Sequence, residues 1–250
     1  MKSTKEKEPK KNTNEIIREI AYDFISSVAK GEPQFLKGHQ NASTGGVYQG
    51  YNQLSLAMAA KDRYLNNRWL TYKQAEALNG FVNEGETGTH CFKFSVSYKY
   101  KGNGGEFKVY CDSRKEADLK AKEKDPTAIF LKKDTPITRF VCFNVEQTSF
   151  ADTGEFPPII KNMIDLPAVE VRRLIEKDLS SERDYFDRKL ISLLGASFLT
   201  QTIPAKEDIE LTEKWLERLE EKPTYLYALA NEAGKLSRGF AEKAKLLAAA

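Results

Sequence analysis

Cations and aromatic side chains alternate with glycines between residues 37 and 101. Lys37, Arg68, Lys73, Lys93, Lys99 and Lys101 are positively charged. Tyr48, Tyr51, Trp69 and Tyr72 are aromatic, and Thr44, Gly45, Gly46 and Gly50 make a polar, flexible loop. Ammonium and guanidinium groups neutralise phosphates, and exposed rings stack on bases at roughly 1–3 kcal/mol per base. Asn41, Thr44, Asn52 and Gln74 add hydrogen-bonding groups to the same stretch. A packing account competes with this one. Trp69 and Tyr72 flank a capped helix and read more readily as core than as stacking platforms, whereas Tyr48 and Tyr51 fit either role.

Other chemistries find less support. The two histidines, His39 and His90, lie far apart and no H-E-x-x-H helix is present, so a three-ligand zinc site is not expected. His90 and Cys91 are neighbours, but adjacent strand residues point to opposite faces and cannot form a nucleophile–base pair. There is no phosphate-binding P-loop and no dinucleotide fingerprint. The expectation is a protein without catalytic activity, metal or cofactor.

The 250 residues carry 39 basic and 36 acidic side chains, a net charge of only +3. A uniformly cationic nucleic-acid coat and an acidic DNA mimic are both excluded, so any polyanion site is a local patch. Cys91, Cys111 and Cys142 lack metal-type spacing and suit buried thiols in a reducing compartment. No apolar run reaches membrane-spanning length, and no signal-peptide core follows Met1. The expected location is the cytoplasm, without a membrane partner.

Several elements must position these groups. Residues 1–13 read as a lysine- and glutamate-rich disordered tail. Ile16, Ile20, Phe24 and Val28 define an amphipathic helix over 14–30, with Asn14 as its cap and Gly31 and Pro33 at its end. A second helix covers about 52–65. Thr71-x-x-Gln74 is a capping box for a short helix ending at Gly80. From His90 to Tyr100 apolar and polar residues alternate without a break, which predicts one strand with lysines on its outer face. Gly102-Asn103-Gly104-Gly105 signals a hairpin returning over 106–111. A charged surface helix over 113–126 precedes strands at 128–131 and 137–145. The proline- and glycine-bearing stretch 151–166 reads as a linker. Four helices follow, opened by Pro167, Ser181, Pro204 and Pro223, with Leu211, Trp215 and Leu219 on one face. The fold class is therefore α+β: a mixed domain with antiparallel sheet over 14–150, then an all-helical domain over 167–250.

The runs T-G-G-V-Y-Q-G-Y-N, R-W-L-T-Y-K-Q-A, N-G-F-V-N-E-G-E-T-G-T and V-C-F-N-V-E-Q, in this order, resemble the N-terminal domain of ArdC-type antirestriction proteins, shared with conjugative-plasmid TraC primases. The likeness covers about 14–150. It implies single-stranded DNA binding in plasmids, conjugative elements and phages. The sites it implies, joined to those read above, are Lys37, Asn41, Thr44, Tyr48, Tyr51, Asn52, Arg68, Trp69, Lys73, Gln74, Lys93, Lys99 and Lys101. One departure stands out. The family's usually basic turn is Asn83-Glu84-Gly85-Glu86-Thr87-Gly88-Thr89 here, which removes phosphate contacts and shifts the emphasis to the lysines of the following strand.

Leu190–Leu199 resembles, more faintly, a helix of the zincin-like metallopeptidase domain that follows in full-length ArdC. Leu193 stands where that family has a ligating Glu, and the H-E-x-x-H helix is absent. The resemblance implies a shortened, metal-free remnant. Three readings are carried forward. The first is a single-stranded DNA-binding, antirestriction-like protein that protects or handles incoming DNA on a mobile element or phage. The second is an accessory that docks on a replication, primase or restriction protein. The third is a residual hydrolase with reassembled ligands.

Overall fold

A computed structural model describes residues 11–32, 38–61, 63–111, 113–151, 156–157, 164, 166–201 and 207–248. The fold is α+β, and the chain divides into two compact units. The first comprises Met1–Cys91 with Val141–Ala250, and the second is Phe92–Phe140. Residues 1–10 of the expected tail and most of the expected linker lie outside the described residues.

The first unit opens with helix α1 (Thr13–Lys30). Its apolar stripe of Ile16, Ile17, Ala21, Phe24, Ile25 and Val28 is buried. The cap is Asn12, not Asn14: Asn12 and Glu15 exchange side-chain and backbone hydrogen bonds in a capping box, and Gly31 closes the helix at φ 68°. Strand β1 (Gln40–Asn41), helix α2 (Tyr51–Ala60), strand β2 (Arg68–Leu70) and helix α3 (Tyr72–Ala77) follow. Thr71 and Gln74 form the predicted capping box of α3. The left-handed residue after α3 is Asn79, with φ 60°, not Gly80. Gly80 has a different reason to lack a side chain, because a Cβ there would run into the ring of Phe150.

Strands β3 (Thr89–Phe94) and β7 (Ile137–Asn144) complete a four-stranded sheet in the order β1-β2-β7-β3. β1 and β2 are parallel, while β2 and β7 are antiparallel with Trp69 opposite Asn144 and Leu70 opposite Phe143. A one-turn helix, Val145–Gln147, leaves β7 under an Asn144–Gln147 capping box.

Four helices follow in the same unit: α5 (Ala168–Asp178), α6 (Tyr185–Thr200), α7 (Ile209–Glu221) and α8 (Tyr225–Ala248). In a sequence-numbered count of all helices, α4 (Arg114–Lys124) precedes them in the second unit. Pro167, expected in the first turn, stands at the N-cap position just before α5 and makes no side-chain cap bond. Asp184 caps α6, where Ser181 was expected, by accepting from the backbone N–H groups of Phe186 and Asp187. Leu190, Leu193, Leu194, Leu211, Trp215 and Leu219 face inward, as their spacing required. The Arg172 guanidinium reaches both carboxylate oxygens of nearly buried Glu207, tying α5 to the residue before the Asp208 cap of α7. Pro204 lies outside the described residues.

The second unit is a three-stranded antiparallel sheet in the order β5-β4-β6, made of β4 (Ser97–Gly102), β5 (Gly105–Tyr110) and β6 (Ile129–Asp134), with α4 on one face. Tyr98 and Tyr100 pack with Ala117 and Ala121, flanked by Phe107, Val109 and Phe130. The predicted hairpin at Gly102–Gly105 is present, and Asp125 accepts from the backbone N–H of Asn103 at 2.8 Å.

One expectation needs correction. The alternation from His90 to Tyr100 is not one strand. It breaks at Ser95–Val96, so β3 and β4 belong to different sheets. Cys91, placed by alternation on the outer face, is buried, and Phe94, placed inward, is 56% exposed. Side-chain alternation reports only local extension; it does not show that the chain has left one sheet for another.

Candidate nucleic-acid interface

The four motif blocks lie in the first unit, and many of their polar atoms are bonded within it. Asn41 is the hub. Its Oδ1 accepts from the N–H groups of Ser43 and Thr44, both at 3.0 Å, which shapes the loop. Its Nδ2 donates to Gln74 Oε1 at 3.1 Å and to the Tyr48 hydroxyl at 3.3 Å. Thr44 Oγ1 accepts from the Gly46 N–H, and Gly45 sits at φ 71°. Gln74 Oε1 also accepts from the Thr71 N–H at 2.9 Å and the Thr71 hydroxyl at 3.0 Å. The Tyr48 hydroxyl lies 3.3 Å from Cys142 Sγ, and burial is the main reason its ionisation is pushed far above the ordinary phenol range.

The remaining blocks behave the same way. Gln147 Nε2 donates to Glu86 Oε2 at 2.7 Å and to the Thr87 carbonyl at 3.0 Å, which fixes the turn around Gly85. Asn144 Nδ2 donates to the Asn66 carbonyl at 2.8 Å. A Cβ on Gly88 would strike Val141 and Phe143. These motif residues are therefore largely the scaffold of this unit.

Trp69 is core, as its place beside a capped helix suggested, and Tyr51, a candidate for stacking, is core as well. Trp69 is fully buried, donates its indole N–H to His39 Nδ1 at 3.0 Å and meets Tyr64 edge-on. Tyr51 is fully buried too; its hydroxyl donates to the Ile17 carbonyl at 2.6 Å and its ring lies against Tyr227. Neither ring offers a face to a base as placed. Arg68 spreads over the Phe156 ring and donates to the Pro157 carbonyl at 3.3 Å. Asn52 is half-buried in the first turn of α2. Lys73 and Tyr72 remain exposed at the start of α3. Lys37 lies outside the described residues.

The capping box makes a local prediction. Thr71→Ala removes the acceptor for the Gln74 N–H and one donor to Gln74 Oε1, and is expected to cost about 1 kcal/mol. A lower urea midpoint with an unchanged denaturant slope is the readout; no shift would mean that the Asn41–Gln74 bond alone holds α3.

The second unit presents a different surface. Its 49 residues, 92–140, hold twelve Lys and Arg against seven Asp and Glu, so +5, which leaves the rest of the chain at −2. Lys93 is exposed at the end of β3. On the sheet face opposite α4, Lys99 of central β4 stands directly across from Lys108 of β5 and Lys132 of β6. Lys101 follows on the same face, opposite Glu106 and Ile129. Glu106 pairs with Lys99, and Asp134 reaches Lys132 at 3.0 Å and Lys108 at 3.5 Å. Beyond Lys108 on the same edge strand, Tyr110 is 59% exposed.

Lys108, Lys132 and Tyr110 escaped the sequence reading. The alternation of Glu106-Phe107-Lys108-Val109-Tyr110 was available to place the first and last. Lys132 was not accessible that way, because a bulge between Lys99 and Tyr100 on the β4–β6 ladder sets its register.

The family model for the N-terminal domain of anti-restriction factor ArdC matches residues 6–136, more than half of the chain, and the chain belongs to that family. Its fold is similar to crystal structures of antirestriction ArdC protein from the R388 plasmid. The Mn(II)-bound form gives a TM-score of 0.59 at 17% identity, and the metal-free form 0.56 at 16%; each alignment covers 89% of this chain and 95% of that one. No curated protein matches the chain.

The metal in that relative prompts a test of the donor set here. Leu193, the counterpart of the ligating Glu by resemblance, is fully buried in α6 and has no donor atom. Among the described residues no group of three His, Cys, Asp or Glu side chains is placed to hold a metal ion. The described residues therefore offer no donor set for such a metal. Among the same residues, no helix is long and apolar enough to cross a membrane.

Proposed function

We propose that this ArdC-family protein binds single-stranded DNA and, without catalysing a reaction, protects or handles DNA that enters the cytoplasm with a mobile element or phage. The observation that carries this is the separation of charge. A chain near neutrality concentrates +5 in 49 residues and leaves −2 on the remainder. A concentrated cationic unit attracts a polyanion through counterion release even when the whole chain is nearly neutral.

Fluorescence anisotropy of a labelled oligodeoxythymidine tests this reading. Binding is expected at low salt, falling steeply as salt rises, with the same sequence in duplex form bound more weakly. Absence of binding at low salt would retire the proposal.

A second reading has one observation in its favour. The turn at Gly85 carries Glu84 and Glu86 and no cation, and the first unit is net acidic. An accessory that docks this unit on a basic surface of a replication, primase or restriction protein would need no DNA. That reading predicts co-elution with a purified partner after nuclease treatment, and unchanged co-elution when the lysines of the second unit are replaced.

A further inference from the structure

We propose that the open face of the β5-β4-β6 sheet is the polynucleotide-binding surface: Lys108, Lys99 and Lys132 form a row that carries phosphates, and Tyr110 stacks on an unpaired base. The assignment rests on the single-stranded DNA reading above and places it on particular atoms.

Register is the first argument. Residues directly opposite in antiparallel strands are the closest side-chain neighbours on a sheet face, and like charges there are destabilising. Here three lysines share one row across all three strands. The juxtaposition of the three ammonium groups is in itself unfavourable to folding. Two carboxylates relieve part of the repulsion, Glu106 at Lys99 and Asp134 at Lys108 and Lys132. With Lys101 included, four ammonium groups face two carboxylates among the described residues, so these groups leave the face positive. A phosphodiester chain laid across the row supplies the missing negative charge.

The second argument is the aromatic at the edge. Tyr110 shares the face with Lys108, two residues away on β5, and the residue is more than half exposed. By contrast, Tyr98, Tyr100, Phe107 and Phe130 are used on the opposite face in the α4 core. An open ring beside cations binds bases that are not already stacked in a duplex, so Tyr110 is placed to favour single strands.

The test compares four full-length proteins by oligodeoxythymidine anisotropy over a salt series. The first is wild type. The second is Lys99→Ala/Lys108→Ala/Lys132→Ala. The third is Lys115→Ala/Lys120→Ala/Lys122→Ala, which removes the same charge from α4. The fourth is Tyr110→Ala. The sheet triple is expected to lower the slope of log affinity against log salt by about 2, at about 0.7 per lost single-strand phosphate contact. The α4 triple should keep the wild-type slope. Tyr110→Ala should weaken single-strand binding about tenfold with the slope unchanged, and Tyr110→Phe should restore it.

The melting temperature of the sheet triple should stay close to that of wild type, because relief of the like-charge row offsets the loss of the Glu106 and Asp134 pairs. Loss of the cooperative folding transition along with binding would overturn the claim that the row is kept for binding. If wild type binds and the sheet triple binds equally, the surface is wrong while the functional reading stands. If wild type does not bind, the functional reading itself fails. An oligouridine arm decides the source of the phosphates; tighter binding of RNA would overturn the assignment to DNA.

Discussion

Gly50→Ala is expected to destabilise the protein by about 2–5 kcal/mol, combining backbone strain with a steric clash. Gly50 sits at φ 55° and ψ −129°, just before α2. A Cβ there would meet the Asn231 Cα at 2.8 Å and the Ala230 carbonyl at 3.1 Å, both backbone atoms of α8. The approach is close from both sides, since a Cβ on Gly234 would meet the Gly50 nitrogen at 2.8 Å. Asn231 Oδ1 also accepts from the Tyr51 N–H at 3.3 Å, so the clash would loosen the seat of Tyr51. Gly85→Ala separates the two effects. Gly85 has φ 83°, and a Cβ added there would meet nothing within 4 Å among the described residues, so this variant measures strain alone, at about 1–3 kcal/mol. Urea denaturation of both variants provides the comparison; equal losses would refute the close packing of α8 on the Gly50 turn.

Trp69→Ala is expected to cost about 3–5 kcal/mol, the range for truncating a large buried aromatic. The loss has three parts: the cavity, the edge contact with Tyr64, and the indole N–H given to His39. Trp69→Phe should cost less, because much of the volume stays. Both tryptophans of the chain, Trp69 and Trp215, are fully buried. Emission should therefore be blue-shifted, and a saturating oligonucleotide should leave it unchanged. Quenching on binding that is lost in Trp69→Phe would refute the burial of Trp69 and make it a stacking platform.

These two positions show what the residue pattern made legible. Local signals were readable wherever the physics is local. The Thr71–Gln74 box, the hairpin at Gly102–Gly105 and the inward stripe of Leu211, Trp215 and Leu219 stand where spacing placed them. The caps of α1 and α6 shifted by two or three residues because several Asn, Asp and Ser side chains near each start could bond the first free N–H groups. The break at Ser95–Val96 was not readable, since extension continues through it. The candidate site was legible in part. Lys99 and Lys101 were found from alternation, whereas Lys108, Lys132 and Tyr110 needed cross-strand register.

From the sequence by itself came the α+β class, the family, and the requirement that any polyanion site be local, because composition, motif order and net charge are properties of the chain alone. The division of labour among the aromatics came only from the tertiary structure. A ring in a glycine-rich loop serves as core or as platform according to what covers it, and the coverage of Tyr51 and Trp69 is built from residues distant in sequence: Ile17 and Tyr227 for one, His39 for the other. The cationic row was likewise decided in three dimensions. Lysines spread from 99 to 132 become one surface only when three strands pair in a single register.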